Sequence, residues 1–147
     1  MTTNPSQRFA DLKAGDELPP FELPLSYTRI VAGAIASRDF MPAHHEKEYA
    51  VAQGAPHIFL NIMTSNGLAA RYLTDWAGPE AILRSLKVRL GVPAIAGHVL
   101  TFTGRIESVR TEGDEGVVEV SLQASTELGA HVTGTATVSL PSTEGNG

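Results

Sequence analysis

The 147-residue chain contains no cysteine. Disulfides, thiolate zinc sites, iron–sulfur clusters and cysteine nucleophiles are therefore excluded together. Long apolar runs are also missing, because no stretch approaches the ~20 residues that a membrane-spanning helix needs. The first residues, MTTNPSQRFADLKAGDEL, show no apolar segment of a secretion signal. We therefore expect a cytoplasmic protein with no membrane association.

Positive charge is scarce as well. The chain has 11 Lys and Arg against 16 Asp and Glu, for a net charge of −5. A general nucleic-acid binder needs a net basic surface to displace counterions from phosphates, so we expect no nucleic-acid partner. The length is typical of one domain with a real core. We expect a single domain over residues 1–147, with flexible polar ends at residues 1–10 and 141–147.

The first half of the chain alternates turns with helical patterns. Apolar residues at every second position predict a short strand over residues 21–25, which neighbouring prolines confine to a sheet edge or an irregular segment. An Ala-rich stretch predicts a helix over residues 28–37, and a second short helix is expected over 45–53. Apolar residues at helical spacing predict the longest helix over residues 58–76, ended by a Gly-Pro pair.

The second half changes to a period of two. Apolar and polar residues alternate over four segments, at residues 86–92, 100–106, 118–124 and 132–140. The links between them are short, which favours antiparallel pairing of neighbours in the chain. The economical arrangement packs the single apolar face of this sheet around the long helix. The pattern therefore predicts an α+β hot-dog fold, an antiparallel sheet wrapped around a long central helix, with a plain α+β sandwich as the alternative.

One segment carries residues suited to proton chemistry. Asp39 and His44 are five positions apart with Pro42 between them, so they cannot share one regular helix face. A turn at the proline can bring both side chains into one cleft. An imidazole titrates near ~6.5, and a carboxylate beside it can exchange a proton through water. From the spacing alone, a solvated turn in which Asp39 caps the loop remains the alternative.

A metal site is not expected in this segment. His44, His45 and Glu46 are adjacent, but side chains that neighbour each other in sequence rarely converge on one ion, and no further ligand cluster is present. The remaining histidines are isolated, and we expect them at the surface or at the edge of the core: His57, His98 and His131.

The stretch SRDFMPAHHEKEYA resembles the motif of the MaoC-like, R-specific enoyl-CoA hydratases. That motif runs Asp, any residue, Asn, Pro, any residue, His, and then a small residue six positions on. Asp39, Pro42, His44 and Ala50 match it, while Met41 stands where the family has Asn. The resemblance implies the hot-dog fold and a hydro-lyase activity on enoyl-CoA thioesters.

The resemblance extends over residues 25–140, most of the chain. A closer likeness is to the small MaoC-like subunit of actinobacterial heteromeric hydratases that act on steroid side-chain CoA thioesters. The segments VAQGAPHIFLNIMTSNGL, RYLTDWAGP and RLGVP carry this likeness. It implies that the substrate is an acyl-CoA thioester, and that the chain pairs with a second MaoC-like subunit in preference to forming a homodimer.

The family assigns roles that can be carried over residue by residue. His44 would activate a water and deliver it to Cβ, and Asp39 would orient that water and exchange a proton at Cα. The backbone N–H of Ile62, at the start of the central helix, would bind the enolate oxygen, although the family usually has Gly there. No metal and no separate cofactor is implied, because CoA is part of the substrate. We expect Asn61 to cap the helix rather than to act in catalysis.

Two other functions compete with a hydratase. A hot-dog acyl-CoA thioesterase usually places a carboxylate on the central helix, and residues 58–70 contain neither Asp nor Glu. A non-catalytic partner subunit is the second alternative. The retained Asp39 and His44 count against it, while Met41 and Ile62 count slightly for it.

Overall fold

Five antiparallel strands form one sheet in the computed structural model, which describes residues 5–142. Its strands are β1 (Glu17–Pro24), β2 (Ile82–Leu90), β3 (Val99–Glu112), β4 (Glu115–Thr126) and β5 (Gly129–Pro141). Its α-helices are α1 (Tyr27–Ala36), α2 (Lys47–Ala52) and α3 (Ile62–Ala77), and short 3-10 helices cover Phe9–Asp11 and Pro42–His44. Over the described residues, no helix has the length and apolarity to cross a membrane. The cytoplasmic location stays a prediction.

The sheet curls around α3, and its strand order differs from the expected one. The order is β1-β3-β4-β5-β2, so β2 pairs with β5 and not with its chain neighbour β3. The prediction that consecutive strands pair is therefore wrong for β2. Residues 91–98 between β2 and β3 are too long for a tight hairpin and carry an extended stretch that bridges Phe59 through Ile95. This connection lets the chain reach the opposite edge of the sheet.

Helix α3 contacts both edge strands, β1 and β2, as well as β5. Ala69 and Leu73 are completely buried on its inner face, and the ring of Tyr72 lies 5.5 Å from that of Phe102 on β3. Gly104 permits this approach, because a Cβ there would come within 3.2 Å of the Tyr72 ring. The sheet therefore curls around a central helix, in agreement with the predicted hot-dog arrangement.

The central helix begins four residues later than the apolar pattern predicted. Residues 58–60 are extended, with Leu60 donating its N–H to the Ala94 carbonyl and Ala96 donating to the Ile58 carbonyl. A short apolar run cannot be assigned to helix or strand by periodicity, and here the backbone bonds to another segment decide it. Asn61 then caps α3, and Ile62 is its first residue.

The described part of the N-terminal segment is docked onto the fold. Gln7 donates its N–H to the Ala77 carbonyl at 2.9 Å, and the ring of Phe9 lies where a Cβ on Gly116 would clash with it. The expected flexibility of residues 1–10 and 141–147 otherwise stays a prediction. Residues 1–4 and 143–147 lie outside the described part of the chain.

Candidate active site

The last turn of α1 positions Asp39. The Arg38 N–H donates to the Ile35 carbonyl at 3.0 Å, and the Asp39 N–H donates to the Ala34 carbonyl at 2.9 Å. These two bonds form a Schellman motif, which normally has Gly in its left-handed position. Arg38 occupies that position with φ +55°, at a cost of about 1 kcal/mol. The motif fixes the backbone of Asp39 immediately after the helix.

Pro42 starts the 3-10 helix that carries His44. The imidazole is buried, and it meets the ring of Phe59 edge-on at 5.0 Å between centroids. Its Nδ1 lies 2.8 Å from the Phe59 carbonyl oxygen. Because a carbonyl can only accept, Nδ1 carries a proton, and Nε2 presents a lone pair when the ring is in its neutral form.

The structure brings the two predicted residues together. His44 Nε2 lies 3.3 Å from Asp39 Oδ2, and the Asp39 side chain keeps 34% of its surface exposed. A neutral imidazole and an ionised carboxylate both present acceptors to each other, so the contact needs either a proton on Nε2 or a donor beside the pair that reaches both groups. A water molecule at this place could donate to both groups. The geometry is therefore suited to orienting and deprotonating one water.

Asp39 has two further donors. Asn61 Nδ2 donates to Oδ2 at 3.1 Å, and the Met41 N–H donates to Oδ1 at 3.3 Å. The hydrogen bond from Asn61 lowers the pKa of Asp39 below its ordinary value. The bond from Met41, and His44 in its protonated form, act in the same direction against partial burial. The carboxyl group is therefore ionised at neutral pH.

Ile62 presents the backbone group that the sequence singled out. The N–H groups of Thr64 and Ser65 bond to the side chain and the carbonyl of Asn61, whereas the N–H of the first helical residue has no acceptor within the helix. The positive end of the helix dipole lies at the same place. The Ile62 side chain is 62% exposed. This end of α3 can therefore bind a developing negative charge.

Known proteins resemble this chain in sequence and in fold. No family model matches the chain. The chain is 44% identical over 126 residues to the 3-oxo-4,17-pregnadiene-20-carboxyl-CoA hydratase beta subunit of Mycobacterium tuberculosis, covering 86% of this chain and 95% of that protein. A chain in the crystal structure of the ChsH1-ChsH2 complex from the same organism has 42% identity and a TM-score of 0.80, covering 87% of this chain and 98% of that one.

A more distant solved structure bears on the fold alone. The MaoC-like dehydratase from Rhodospirillum rubrum has 17% identity and a TM-score of 0.81, covering 95% of this chain and 99% of that chain. This chain belongs to the MaoC-like enoyl-CoA hydratase family. The predicted hot-dog fold and the predicted class of enzyme, a hydro-lyase, are confirmed.

A largely apolar cavity lies at the start of α3 in this MaoC-like hydratase, and neither Asp39 nor His44 lines it. It has a volume of about 370 Å³ and reaches Phe59, whose carbonyl and ring contact His44. Its lining includes Ala55, Phe59, Leu60, Ile62, Leu90 and His131. A larger groove of about 650 Å³ lies along β1, β3, β4 and β5, and neither Asp39 nor His44 lines it.

His131 is buried, contrary to the expected position at the surface or the edge of the core. Its Nδ1 donates to the Val92 carbonyl at 2.7 Å, and its Nε2 lies 2.8 Å from Ser65 Oγ on α3. The cause is a β-bulge, because Ser125 pairs with Ala130 and the next pair on β5 skips to Val132. The extra residue is re-aimed into the core.

Asn61 has a second role that the sequence did not reveal. Its predicted capping function is confirmed, because Oδ1 accepts from the Thr64 N–H at 3.2 Å. The hydrogen bond to Asp39 depends on a contact between residues 22 positions apart, which no local pattern encodes.

Within residues 5–142 of this hydratase, no group of three or more His, Cys, Asp or Glu side chains could hold a metal ion.

Proposed function

We propose that this chain is the catalytic subunit of a hydratase that adds water across the 2,3-double bond of a steroid side-chain enoyl-CoA thioester, or catalyses the reverse dehydration. The observation that carries the proposal is the 3.3 Å contact of Asp39 Oδ2 with His44 Nε2, in a ring whose Nδ1–H is held by a carbonyl. The similarity to the pregnadiene-carboxyl-CoA hydratase beta subunit supports the substrate class.

The reaction follows from the protonation states of the pair. His44 Nε2 takes a proton from the bound water as the water oxygen adds to Cβ, and the electrons of the double bond move into the thioester to form an enolate. A proton then adds to Cα. Since Asp39 lies 3.3 Å from Nε2, the proton removed from water can reach Cα through Asp39. Both side chains return to their starting states.

The enolate oxygen accepts a hydrogen bond from the backbone N–H of Ile62. One such donor contributes about 3–4 kcal/mol to stabilising the transition state in enzymes that use it. The direction of the α3 dipole supports this placement. The scheme needs no metal and no separate cofactor, because CoA enters as part of the substrate.

The cavity at the start of α3 accommodates the acyl group. Its volume of about 370 Å³ and its largely apolar wall suit a bulky, polycyclic hydrocarbon rather than a polar acyl chain. Ile62 contributes both the proposed donor and part of this wall. Ile62 would therefore both stabilise the enolate and contribute to the selection of the acyl group.

The surface around the pair supports an oligomer. Four large apolar side chains next to Asp39 and Asn61 in sequence are 48–68% exposed, namely Phe40, Met41, Ile62 and Met63. Clustered exposure of this kind marks a surface that a partner covers. Strands β1 and β2 are both sheet edges with unpaired backbone groups. We take the partner to be a second MaoC-like subunit, as in the ChsH1-ChsH2 complex, rather than a second copy of this chain.

The test is turnover of 2-enoyl-CoA esters, from short chains to steroid side chains, by this chain alone and co-expressed with a second MaoC-like subunit. We expect hydration of bulky esters that is fastest in the mixed complex, whose mass light scattering would verify. Release of free CoA without hydration would favour a thioesterase. Full activity of the complex after Asp39 and His44 are both replaced would make this chain a non-catalytic partner.

A further inference from the structure

Asn61 uses every polar group of its side chain. The residue is 1% exposed. Oδ1 accepts from the Thr64 N–H at 3.2 Å, while Nδ2 donates to Asp39 Oδ2 at 3.1 Å and to Ser37 Oγ at 2.7 Å. One buried amide therefore links the start of α3, the end of α1 and the candidate catalytic carboxylate.

The chemistry of its partners sets the orientation of this amide. The Thr64 N–H can only donate, and the ionised Asp39 can only accept, so the oxygen must face Thr64 and the nitrogen must face Asp39. Ser37 donates its own hydroxyl proton to the Gly33 carbonyl at 2.8 Å, which leaves its oxygen free to accept. A flipped amide would lose the bonds to Thr64 and Asp39.

Capping alone does not require asparagine. Ser and Asp satisfy a helix N-terminus about as well, because capping needs only an acceptor oxygen. Among these residue types, only Asn offers an acceptor to the helix and N–H donors on the other side of the same planar group. The bonds from Nδ2 are therefore the part of the arrangement that capping leaves unexplained.

We propose that Asn61 is a positioning residue that locks the Asp39 carboxylate to the N-terminus of α3, so that the proton-transferring carboxylate and the Ile62 N–H keep one fixed separation. The inference rests on the proposed hydration reaction and adds a residue to it. Asn61 adjoins Ile62 in the chain and bonds directly to Asp39, so it is the shortest covalent and hydrogen-bonded link between the two groups. It acts through Asp39 and touches no reacting atom.

Two variants separate positioning from capping. Asn61→Ser keeps an acceptor for the Thr64 N–H and removes the donor to Asp39. We expect kcat to fall about 10- to 100-fold with KM little changed, because small displacements of a catalytic group cost rates of this size. The Asp39 carboxyl, followed by carbon NMR, should titrate at a higher pH than in the wild type, because the Asn61 bond is the largest cause of its lowered pKa.

Asn61→Asp also retains the cap but sets a second carboxylate against Asp39. His44 is the other titratable group that acts on Asp39, and the new charge favours its protonated form as well. We expect a larger fall in kcat and a shift of the acid limb of the pH–rate profile to higher pH. The added charge shifts that limb by itself, so Asn61→Ser, which adds no charge, is the variant that decides the positioning role.

Ser26→Ala is the matched control, because Ser26 caps α1 through the Arg29 N–H at 3.1 Å and does not bond to Asp39. It should lower thermal stability and leave kcat and the pH profile as in the wild type. All variants are assayed in the complex with the 2-enoyl-CoA that the wild type hydrates fastest.

Wild-type kcat and an unmoved Asp39 titration in Asn61→Ser would overturn the proposal and leave Asn61 as a cap. Loss of kcat in both Asn61 variants in step with loss of folded protein would overturn it as well. If the wild type proves to have no hydratase activity, the proposed function fails. The Asp39 titration in Asn61→Ser still decides whether Asn61 holds the carboxylate.

Discussion

Two buried histidines in this protein have the same pattern of hydrogen bonds and differ in what they can do. His44 and His131 are 5% and 4% exposed, and each donates Nδ1–H to a backbone carbonyl, at 2.8 and 2.7 Å. In each ring the free Nε2 faces a side-chain oxygen. For His131 that oxygen is the buried hydroxyl of Ser65, and for His44 it is the partly exposed carboxylate of Asp39.

The difference between the partners separates structure from chemistry. The Ser65 hydroxyl also lies 3.1 Å from the Asn61 carbonyl, and its one proton can be donated to Nε2 at the shorter distance of 2.8 Å. The His131 ring is then satisfied without any further proton or water. An ionised carboxylate cannot donate, so the His44 pair needs a proton or a water from outside. Burial and tautomer alone therefore do not identify a catalytic histidine, whereas the donor capacity and exposure of its partner do.

The sharpest test of this comparison removes the reactive pair. His44→Ala and Asp39→Asn should each lower kcat by about 10²- to 10⁴-fold, the range typical of general acid–base groups. The double variant should cost little more than the worse single one, because the two side chains act as a unit. Circular dichroism should report retained folding.

His45→Ala is the matched control, because that neighbouring histidine lies 3.7 Å from Glu46 and is not part of the Asp39–His44 contact. Its kcat should be that of the wild type. Hydration near the wild-type rate in either His44→Ala or Asp39→Asn would contradict the assignment.

The second test removes the proposed oxyanion donor beside the reactive histidine. Proline is well tolerated at the first position of a helix, and Asn61 has φ −79° and ψ 162°, which a following proline accepts. Ile62→Pro deletes the N–H, so kcat should fall about 10²- to 10³-fold with the fold intact. Ile62→Ala keeps the N–H and should mainly change acyl preference. Equal kcat in the two variants would refute the role of the N–H.

The third test addresses the satisfied histidine. Ser65→Ala leaves His131 Nε2 buried without its donor, which should lower the free energy of unfolding by about 1–3 kcal/mol. Denaturant titration measures this loss, and kcat should stay close to that of the wild type. Ser85→Ala, which removes an exposed hydroxyl bonded to Thr137, should cost much less. A kcat loss in Ser65→Ala as large as in His44→Ala would contradict the distinction between a structural His131 and a catalytic His44.

The smallest expected effect is on pH dependence. Burial lowers the pKa of His131 below its ordinary value. The unfolded chain therefore binds a proton that the folded protein does not, and stability falls as pH drops below about 6.5. His131→Gln should make the free energy of unfolding less dependent on pH between pH 7 and pH 5. Burial and Lys47 also lower the pKa of His57, so His57→Gln measures the remaining slope. Identical slopes in wild type and His131→Gln would contradict the prediction.

Local patterns predicted most of the fold and half of the site. The alternation of apolar residues locates β2 to β5, and helical spacing locates α3, although the predicted range begins four residues before the helix does. The Asp39–His44 contact is expected from the resemblance of the segment around Pro42 to a family motif, whereas the spacing alone leaves a solvated turn open. The strand alternation and the helical spacing can be recognised in the sequence because burial of one face repeats along the chain with the period of the element.

The remaining features depend on which segments meet. The inward turn of His131 arises from a bulge against β4, and a bulge exists only relative to its partner strand. Arg38 in a left-handed conformation gives no glycine signal for the turn that places Asp39. The bond from Asn61 to Asp39 joins the start of one helix to the end of another.

By itself, the amino-acid sequence determined the elements, the apolar face of the sheet and the residue types available for proton transfer, since these depend on local propensity and periodic burial. Tertiary structure alone decided that β2 forms the far edge of the sheet, opposite β1. It also decided that His131 bonds to a serine and that His44 faces a carboxylate. The reason is that hydrogen-bond capacity is a property of a pair of groups, and the pairs form between residues far apart in the chain.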